Sequence, residues 1–199
     1  MSDVDEEFTI LDVRLGQFLY LWTVLIDYMR GQYVPSIEYK AVDDTDYRTP
    51  ATFPWTMMSL LYSFFFSLVD THPQGLNAFR VWRAKFPEHA LVIDAVEFRV
   101  QGILPELKKF RNKLGFHGSR SVNQEEEGYQ LLTQHGVTKV LNVAQHFISL
   151  AMNLLTLAYS SDSDSTNKAS DHLKTVEMIC RSDSPYSFDD EDLLINWFS

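Results

Sequence analysis

Hydrophobic residues recur along most of this chain at alternating steps of three and four, the spacing of one face of an α-helix. This spacing predicts a long first helix over residues 7–30, whose apolar face comprises Leu11, Leu15, Phe18, Trp22, Leu25 and Met29. It also predicts a last long helix over residues 137–159, whose apolar face comprises Val140, Val143, Phe147, Leu150 or Ala151, Leu154 and Leu157. No segment shows the sustained alternation with a period of two that is typical of a β-strand.

Further helices are predicted between these two. Residues 55–70 are apolar nearly all round, which is typical of a central helix. A helix over residues 76–85 follows, and Pro87 opens another, because proline is tolerated in the first turn. A glycine and a proline interrupt that helix before a segment over residues 105–114. The fold class is therefore predicted to be all-α, a helical bundle of about five or six helices.

Two stretches are polar enough to be predicted as connections. Residues 32–54 are bounded by prolines and are predicted to form an extended loop of about twenty residues. After Tyr159, the stretch "SSDSDSTNKAS" has the low-complexity composition of a linker. A helical bundle is therefore assigned to residues 1–160. Residues 161–199 are assigned to an acidic linker and a C-terminal tail with a short helix near residues 171–180.

The tail ends in "SFDDEDLLINWFS", a run of acids followed by apolar residues. In one interpretation, the apolar residues dock on the bundle, since exposed apolar groups tend to find partners. Those residues are Leu193, Leu194, Trp197 and Phe198. In the other interpretation, the tail is a regulatory or partner-binding segment.

Composition favours a location in the cytoplasm. The start, "MSDVDEEFTI", is acidic and lacks the basic-then-apolar order of a signal peptide. The single cysteine, Cys180, excludes an internal disulfide and suits a reducing compartment. The longest apolar run, residues 53–69, is shorter than the roughly 20 residues that span a bilayer, so no membrane association is expected.

Charge is distributed unevenly along the chain. The net charge of −10 argues against a nucleic acid as partner, because phosphate binding depends on lysine and arginine. Residues 80–120, however, contain nine basic and four acidic residues, whereas the last forty residues contain nine acidic and three basic ones. Any contact with RNA is therefore expected in the basic segment.

The basic segment contains the stretch "FRNKLGFHGS", residues 110–119. The helix that leads into it has an apolar stripe formed by Ile103, Leu107, Phe110 and Leu114. Arg111 projects from the border of that stripe, and a partly buried arginine needs a partner or a cleft. One interpretation is an interior ion pair with Glu97 or Asp94. The other is a binding site.

His117 lies six positions after Arg111, which on an unbroken helix would place the two side chains about 120° apart. They converge only if the helix ends between them, and Gly115 is suited to end it. His117 would then lie just beyond a helix C-terminus, where the dipole favours a protonated imidazole even without a ligand. Ser119 and Arg120 follow in a flexible turn.

The arrangement of Arg111, Asn112 and His117 at the end of a helix in a small all-α bundle resembles the signature of HEPN-domain proteins (higher eukaryotes and prokaryotes nucleotide-binding). That signature is an arginine, four to six residues and a histidine, with a polar residue such as asparagine directly after the arginine. The resemblance covers the motif helix and, loosely, the bundle over residues 7–160. A second stretch, "RAKFPEH" over residues 83–89, has an allowed spacing but lacks the polar residue and contains a proline.

The resemblance implies a metal-independent endoribonuclease without a cofactor, often a toxin of a toxin–antitoxin pair or a phage-defence effector. It implies RNA as substrate, a homodimer whose two motifs form one composite site, and an antitoxin or regulatory protein as a possible partner. His117 would act as general base or acid, Arg111 would hold the scissile phosphate, and Asn112 would orient the reacting groups. Further phosphate contacts are expected from Lys108, Lys113, Ser119 and Arg120.

A non-catalytic helical module that binds a protein partner is the alternative function. The other histidines have no spacing that suggests a metal site and are interpreted as structural or surface residues. These are His72, His89, His135, His146 and His172. The sequence therefore predicts a ribonuclease or an interaction module, and no metal centre.

Overall fold

The computed structural model describes residues 3–29, 49–72, 75–108 and 137–182, and these residues form helices and the turns between them. The helices are α1 (Asp3–Met29), α2 (Thr49–Val69), α3 (Ala78–Lys85), α4 (Ala90–Gln101), α5 (Val137–Tyr159) and α6 (Ser163–Arg181). A 3₁₀ turn over Pro87–His89 joins α3 to α4. After a turn at Gly102 and Ile103, residues 104–108 are helical again. The predicted all-α bundle is confirmed over the described ranges.

The hydrophobic periodicity located the two long helices well. α5 has the predicted bounds, and α1 begins four residues before the predicted start. α2 begins at Thr49, inside the stretch predicted as a loop, with Pro50 in the first turn, where a missing N–H costs no hydrogen bond. The rest of that predicted loop, residues 32–48, lies outside the described residues.

The linker predicted directly after Tyr159 was wrong for residues 163–170, which form the first turns of α6. Asp162 caps this helix, since its carboxylate accepts hydrogen bonds from the backbone N–H groups of Asp164 (3.3 Å) and Ser165 (2.9 Å). α6 then packs on α4 and α5 and contributes to the same core as the rest of the bundle. Its buried residues are Ala169, Leu173, Val176 and Cys180. The tail beyond residue 182 lies outside the described residues.

Aromatic rings form the centre of the core. Phe147 of α5 is fully buried and contacts rings from α1, α2 and α3. The ring centroids lie 6.0 Å from Phe18, 5.1 Å from Phe65, 5.7 Å from Phe79 and 5.1 Å from Trp82. These separations are within the range in which aromatic pairs attract each other. Phe147 therefore joins four helices.

A buried asparagine positions the corner between α2 and α3. The Asn77 side chain accepts a hydrogen bond from the backbone N–H of Arg80 (2.9 Å), which caps α3. Its amide nitrogen donates to the carbonyl oxygens of Val69 (3.3 Å) and Asp70 (3.2 Å) at the end of α2. One side chain thus pairs backbone groups at the ends of both helices.

Two helical segments, Asp3–Asp27 and Val140–Tyr159, are long and apolar enough to cross a membrane, judged by length and composition. The apolar window of the second is 67% buried inside the protein, as in the core helix of a soluble protein. The window of the first is only 33% buried. α1 therefore presents more of its apolar surface outward than α5 does.

We expect Phe147→Ala to lower the free energy of unfolding by about 3–5 kcal/mol, because it leaves a cavity among four rings. Phe98→Ala is the matched control, since the Phe98 side chain is 72% exposed, and its cost should stay within about 0.5 kcal/mol. Urea unfolding followed by circular dichroism measures both values. Equal losses in the two variants would contradict the central position of Phe147.

Candidate functional site

The described residues include the start of the helix that precedes the predicted motif, up to Lys108. Ile103 and Leu107 are buried, as the predicted apolar stripe requires, and the N–H of Leu107 donates to the carbonyl of Ile103 (3.0 Å). Lys108 follows on the exposed side of this helical turn. The other predicted site residues lie outside the described residues and stay predictions. These are Arg111, Asn112, Lys113, His117, Ser119 and Arg120.

The second arginine–histidine stretch, residues 83–89, is fully described and has a structural role. Arg83 Nε donates to Asp94 Oδ1 (2.7 Å), and a terminal nitrogen of Arg83 donates to Glu97. These two contacts, from Nε and one terminal nitrogen of the guanidinium group, tie the end of α3 to α4. His89 lies 3.9 Å from the Glu88 carboxylate at the surface. This stretch is therefore a helix corner held by ion pairs.

The same ion pairs bear on Arg111. One interpretation of Arg111 is an interior ion pair with Asp94 or Glu97. Both carboxylates bind Arg83. Since Arg83 partly neutralises the two acids, they attract a second arginine less strongly than free carboxylates would.

The first part of the basic segment is neutralised by acidic residues of α1. Arg80 pairs with Glu7 (2.9 Å), and Lys85 pairs with Asp5 (2.7 Å). Within the described ranges, Lys108 makes no ion pair. The basic charge of the segment that is open to an anionic ligand therefore begins at its C-terminal end, next to the predicted motif.

A polar cluster lies inside the bundle where α4, α5 and α6 meet. Arg99 Nε donates to the backbone carbonyl of Cys180 (2.9 Å), and its positive charge lies close to both the Cys180 thiol and the His146 imidazole. Burial, and to a lesser extent Arg99, lowers the pKa of His146 to about 4. Burial raises the pKa of the Cys180 thiol to about 11, although Arg99 opposes that shift.

Neither group of this cluster is prepared for acid–base or nucleophilic chemistry at neutral pH. His146 is uncharged and only 3% exposed, and Cys180 stays a thiol rather than the reactive thiolate. The burial of His146 could have been predicted, because the residue lies three positions after Val143 and four before Leu150 on the apolar face of α5. The cluster is a structural feature of the core.

No metal centre is found among the described residues, where no group of three histidine, cysteine or acidic side chains could hold a metal ion. Comparisons with protein-family models, with curated proteins and with solved structures each found no match. The assignment of a function therefore rests on the chemistry of this chain's own residues.

We expect the free energy of unfolding to decrease as the pH is lowered from about 6.5 to about 4, in part because of His146. The pKa of its imidazole is lower in the folded state than in the unfolded state, so in this interval the unfolded chain binds a proton that the folded one does not. This single proton accounts for at most about 1.4 kcal/mol per pH unit.

Urea unfolding of the wild type and of His146→Gln at pH 7 and pH 4.5 measures the effect. The variant should lose less stability than the wild type between the two pH values. His172→Gln is the control, since His172 is exposed, and it should follow the wild type. Equal losses in the wild type and His146→Gln would show that His146 does not titrate as described.

Proposed function

We propose that the chain is a metal-independent endoribonuclease of HEPN type, which acts as a homodimer with a composite site built from Arg111, Asn112 and His117 of two copies. The observation that carries this proposal concerns the competing spacing in residues 83–89. Arg83 is engaged by Asp94 and Glu97, which makes it less available to hold a phosphate. Of the two arginine–histidine stretches, this leaves the one with the asparagine of the HEPN signature.

The distribution of free positive charge supports the same segment. An acidic protein that binds RNA needs a confined basic surface. Arg80, Arg83 and Lys85 are neutralised by ion pairs, whereas Lys108 makes no ion pair with another described residue. The proposed phosphate contacts therefore come from residues 108–120, with Lys108, Lys113, Ser119 and Arg120 beside the reacting groups.

The proposed reaction is an internal phosphoryl transfer. His117 takes the proton of a ribose 2′-hydroxyl, and the 2′-oxygen forms a bond to the adjacent phosphorus. The bond from phosphorus to the 5′-oxygen of the next nucleotide breaks, and that oxygen receives the proton from the protonated His117. Arg111 neutralises the charge that develops on the phosphate oxygens, while Asn112 orients the reacting groups. The products are a 2′,3′-cyclic phosphate and a free 5′-hydroxyl.

The described histidines are less suitable for this reaction than His117. His146 is buried and has a pKa of about 4, whereas a general base works best with a pKa near the operating pH. His72 and His172 are exposed on separate elements, without an arginine in the spacing of the motif. A toxin or phage-defence effector in the cytoplasm, controlled by an antitoxin or regulatory protein, is the setting that the resemblance implies.

A protein-interaction module is the second candidate function. One observation favours it: α1 exposes apolar residues on the side that faces away from the core. An interaction surface on α1 is compatible with a ribonuclease site beyond residue 108. An assay of RNA cleavage therefore tests the enzymatic proposal and leaves the role of the α1 surface open to a separate test.

We expect the purified protein to cleave single-stranded RNA in the presence of EDTA. Arg111→Ala and His117→Ala should each lower the rate by about 100-fold to 10,000-fold, because each removes a group that acts on the transition state. Electrophoresis of end-labelled RNA measures the rate, and a 2′-deoxy substitution at the cleaved nucleotide should block the reaction.

His89→Ala is the matched control, since it removes the histidine of the second arginine–histidine stretch and should leave the rate unchanged. Circular dichroism melting of every variant checks that the fold is retained. Absence of cleavage by the folded wild type, or an equal loss in His89→Ala and His117→Ala, would refute the ribonuclease proposal.

A further inference from the structure

A continuous row of residues runs along the solvent side of α1. We call it the outer stripe, and it comprises Asp3, Glu6, Ile10, Val13, Gln17, Tyr20 and Asp27, together with Val24, which is half-buried against the core. Its members are spaced by alternating steps of three and four, which is the repeat of a helix surface that packs along another helix. The buried residues of α1, among them Leu15 and Trp22, lie on the opposite side of the helix.

The centre of the outer stripe is apolar apart from Gln17, and it is uncovered. Ile10 is 47% exposed, Val13 62% and Tyr20 70%. Gly16, beside this centre, has open space around the position of a side chain, so another backbone can approach closely. Three large apolar side chains in one row on a single helix form a patch of the kind that marks an interaction site.

Both ends of the outer stripe are acidic, and these acids differ from the others of α1. Asp5 and Glu7 lie on the flanks of α1 and form ion pairs with Lys85 and Arg80, respectively. Asp12, also on a flank, accepts a hydrogen bond from the Tyr159 hydroxyl. The acids of the outer stripe are Asp3, Glu6 and Asp27. In the part of the chain that the structure describes, they make no ion pair. Asp3 and Glu6 are exposed, and Asp27 is half-buried.

A second copy of the chain fits this stripe poorly. In a parallel pair, Asp3 and Glu6 of each α1 would face the same acids of the other. In an antiparallel pair with the apolar centres together, Asp3 would face Asp27. Arg14 is the only cation of α1 and cannot neutralise both ends. Like charges in direct opposition destabilise a helix pair, so charge favours a different partner.

We propose that the outer stripe is a docking site for an amphipathic helix of a partner protein, apolar at its centre and basic at both ends. The apolar centre covers Ile10, Val13 and Tyr20, and the lysines or arginines reach the acids at the two ends. Glu6 and Asp27 are separated by about 32 Å along the helix axis, so the basic groups of the partner helix must be similarly spaced. This proposal does not depend on the proposed ribonuclease function.

Designed helical peptides with the 27-residue length of α1 test this chemistry. The first probe has leucines at the central stripe positions and lysines at both ends. The second has the same centre with glutamates at the ends, and the third has lysine ends with a serine centre. Fluorescence anisotropy with the full chain should show the first probe binding at least about tenfold more tightly than either of the others.

Substitutions in α1 make the test specific. Val13→Ser with Tyr20→Ser should weaken binding of the first probe by about tenfold or more, and Glu6→Lys with Asp27→Lys should reverse the preference between lysine and glutamate ends. Leu91→Ser with Phe98→Ser is the matched control, since these residues are also well exposed, at 63% and 72%. It should leave binding unchanged.

Three outcomes would overturn the proposal. The first is equal affinity for the lysine-ended and glutamate-ended probes. The second is a wild-type dimer, seen by light scattering, that dissociates in the Val13→Ser, Tyr20→Ser variant, because the occupant would then be a second copy. The third is binding to vesicles of anionic phospholipid that the same variant loses, which would make the stripe a membrane surface.

Discussion

The packing of Phe147 against aromatic rings from three other helices is the interaction on which the rest of the structure depends. Because Phe18, Phe65 and Trp82 all reach this ring, α5 must run through the middle of the bundle. α1 contributes one face to this core and turns the opposite face outward. The same constraint that builds the core therefore exposes Ile10, Val13 and Tyr20 to solvent.

Ion pairs around the core decide which charges remain for binding. The acids on the flanks of α1 neutralise Arg80 and Lys85, and the acids of α4 neutralise Arg83. Surface ion pairs of this kind add little stability, typically about 0–1 kcal/mol each. Their larger effect here is on the location of free charge. Among the described residues, positive charge remains at Lys108 and negative charge on the outer stripe, which suits the proposed RNA site and the proposed basic partner helix respectively.

Much of the fold could be predicted from the sequence, because a period of 3.6 is visible in residues that face a core. α1 and α5 were predicted directly from such periodic apolar residues, for example Leu11, Leu15 and Phe18 in α1. The first half of α6 was not predicted because its composition resembles a linker, although Asp162 caps the helix there. Composition does not distinguish a capped polar helix from a polar connection.

The candidate site could be predicted only as a motif. Two arginine–histidine stretches have similar spacing in the sequence. The difference between them arises from Asp94 and Glu97, which reach Arg83 only once α3 and α4 have packed. The charge count over residues 80–120 likewise could not show that its first part is neutralised by α1, more than seventy residues away. Such long-range pairing depends on tertiary structure.

The central claim is that two copies of the chain share one composite ribonuclease site, and mixing inactive variants tests it most directly. Arg111→Ala and His117→Ala chains, each inactive alone, would be unfolded together, refolded as a mixture and assayed for RNA cleavage. A composite site predicts that the mixture recovers activity that neither variant has, since a mixed dimer can combine an intact Arg111 with an intact His117. An active wild type together with an inactive mixture, in which mixed dimers are shown to form, would contradict it.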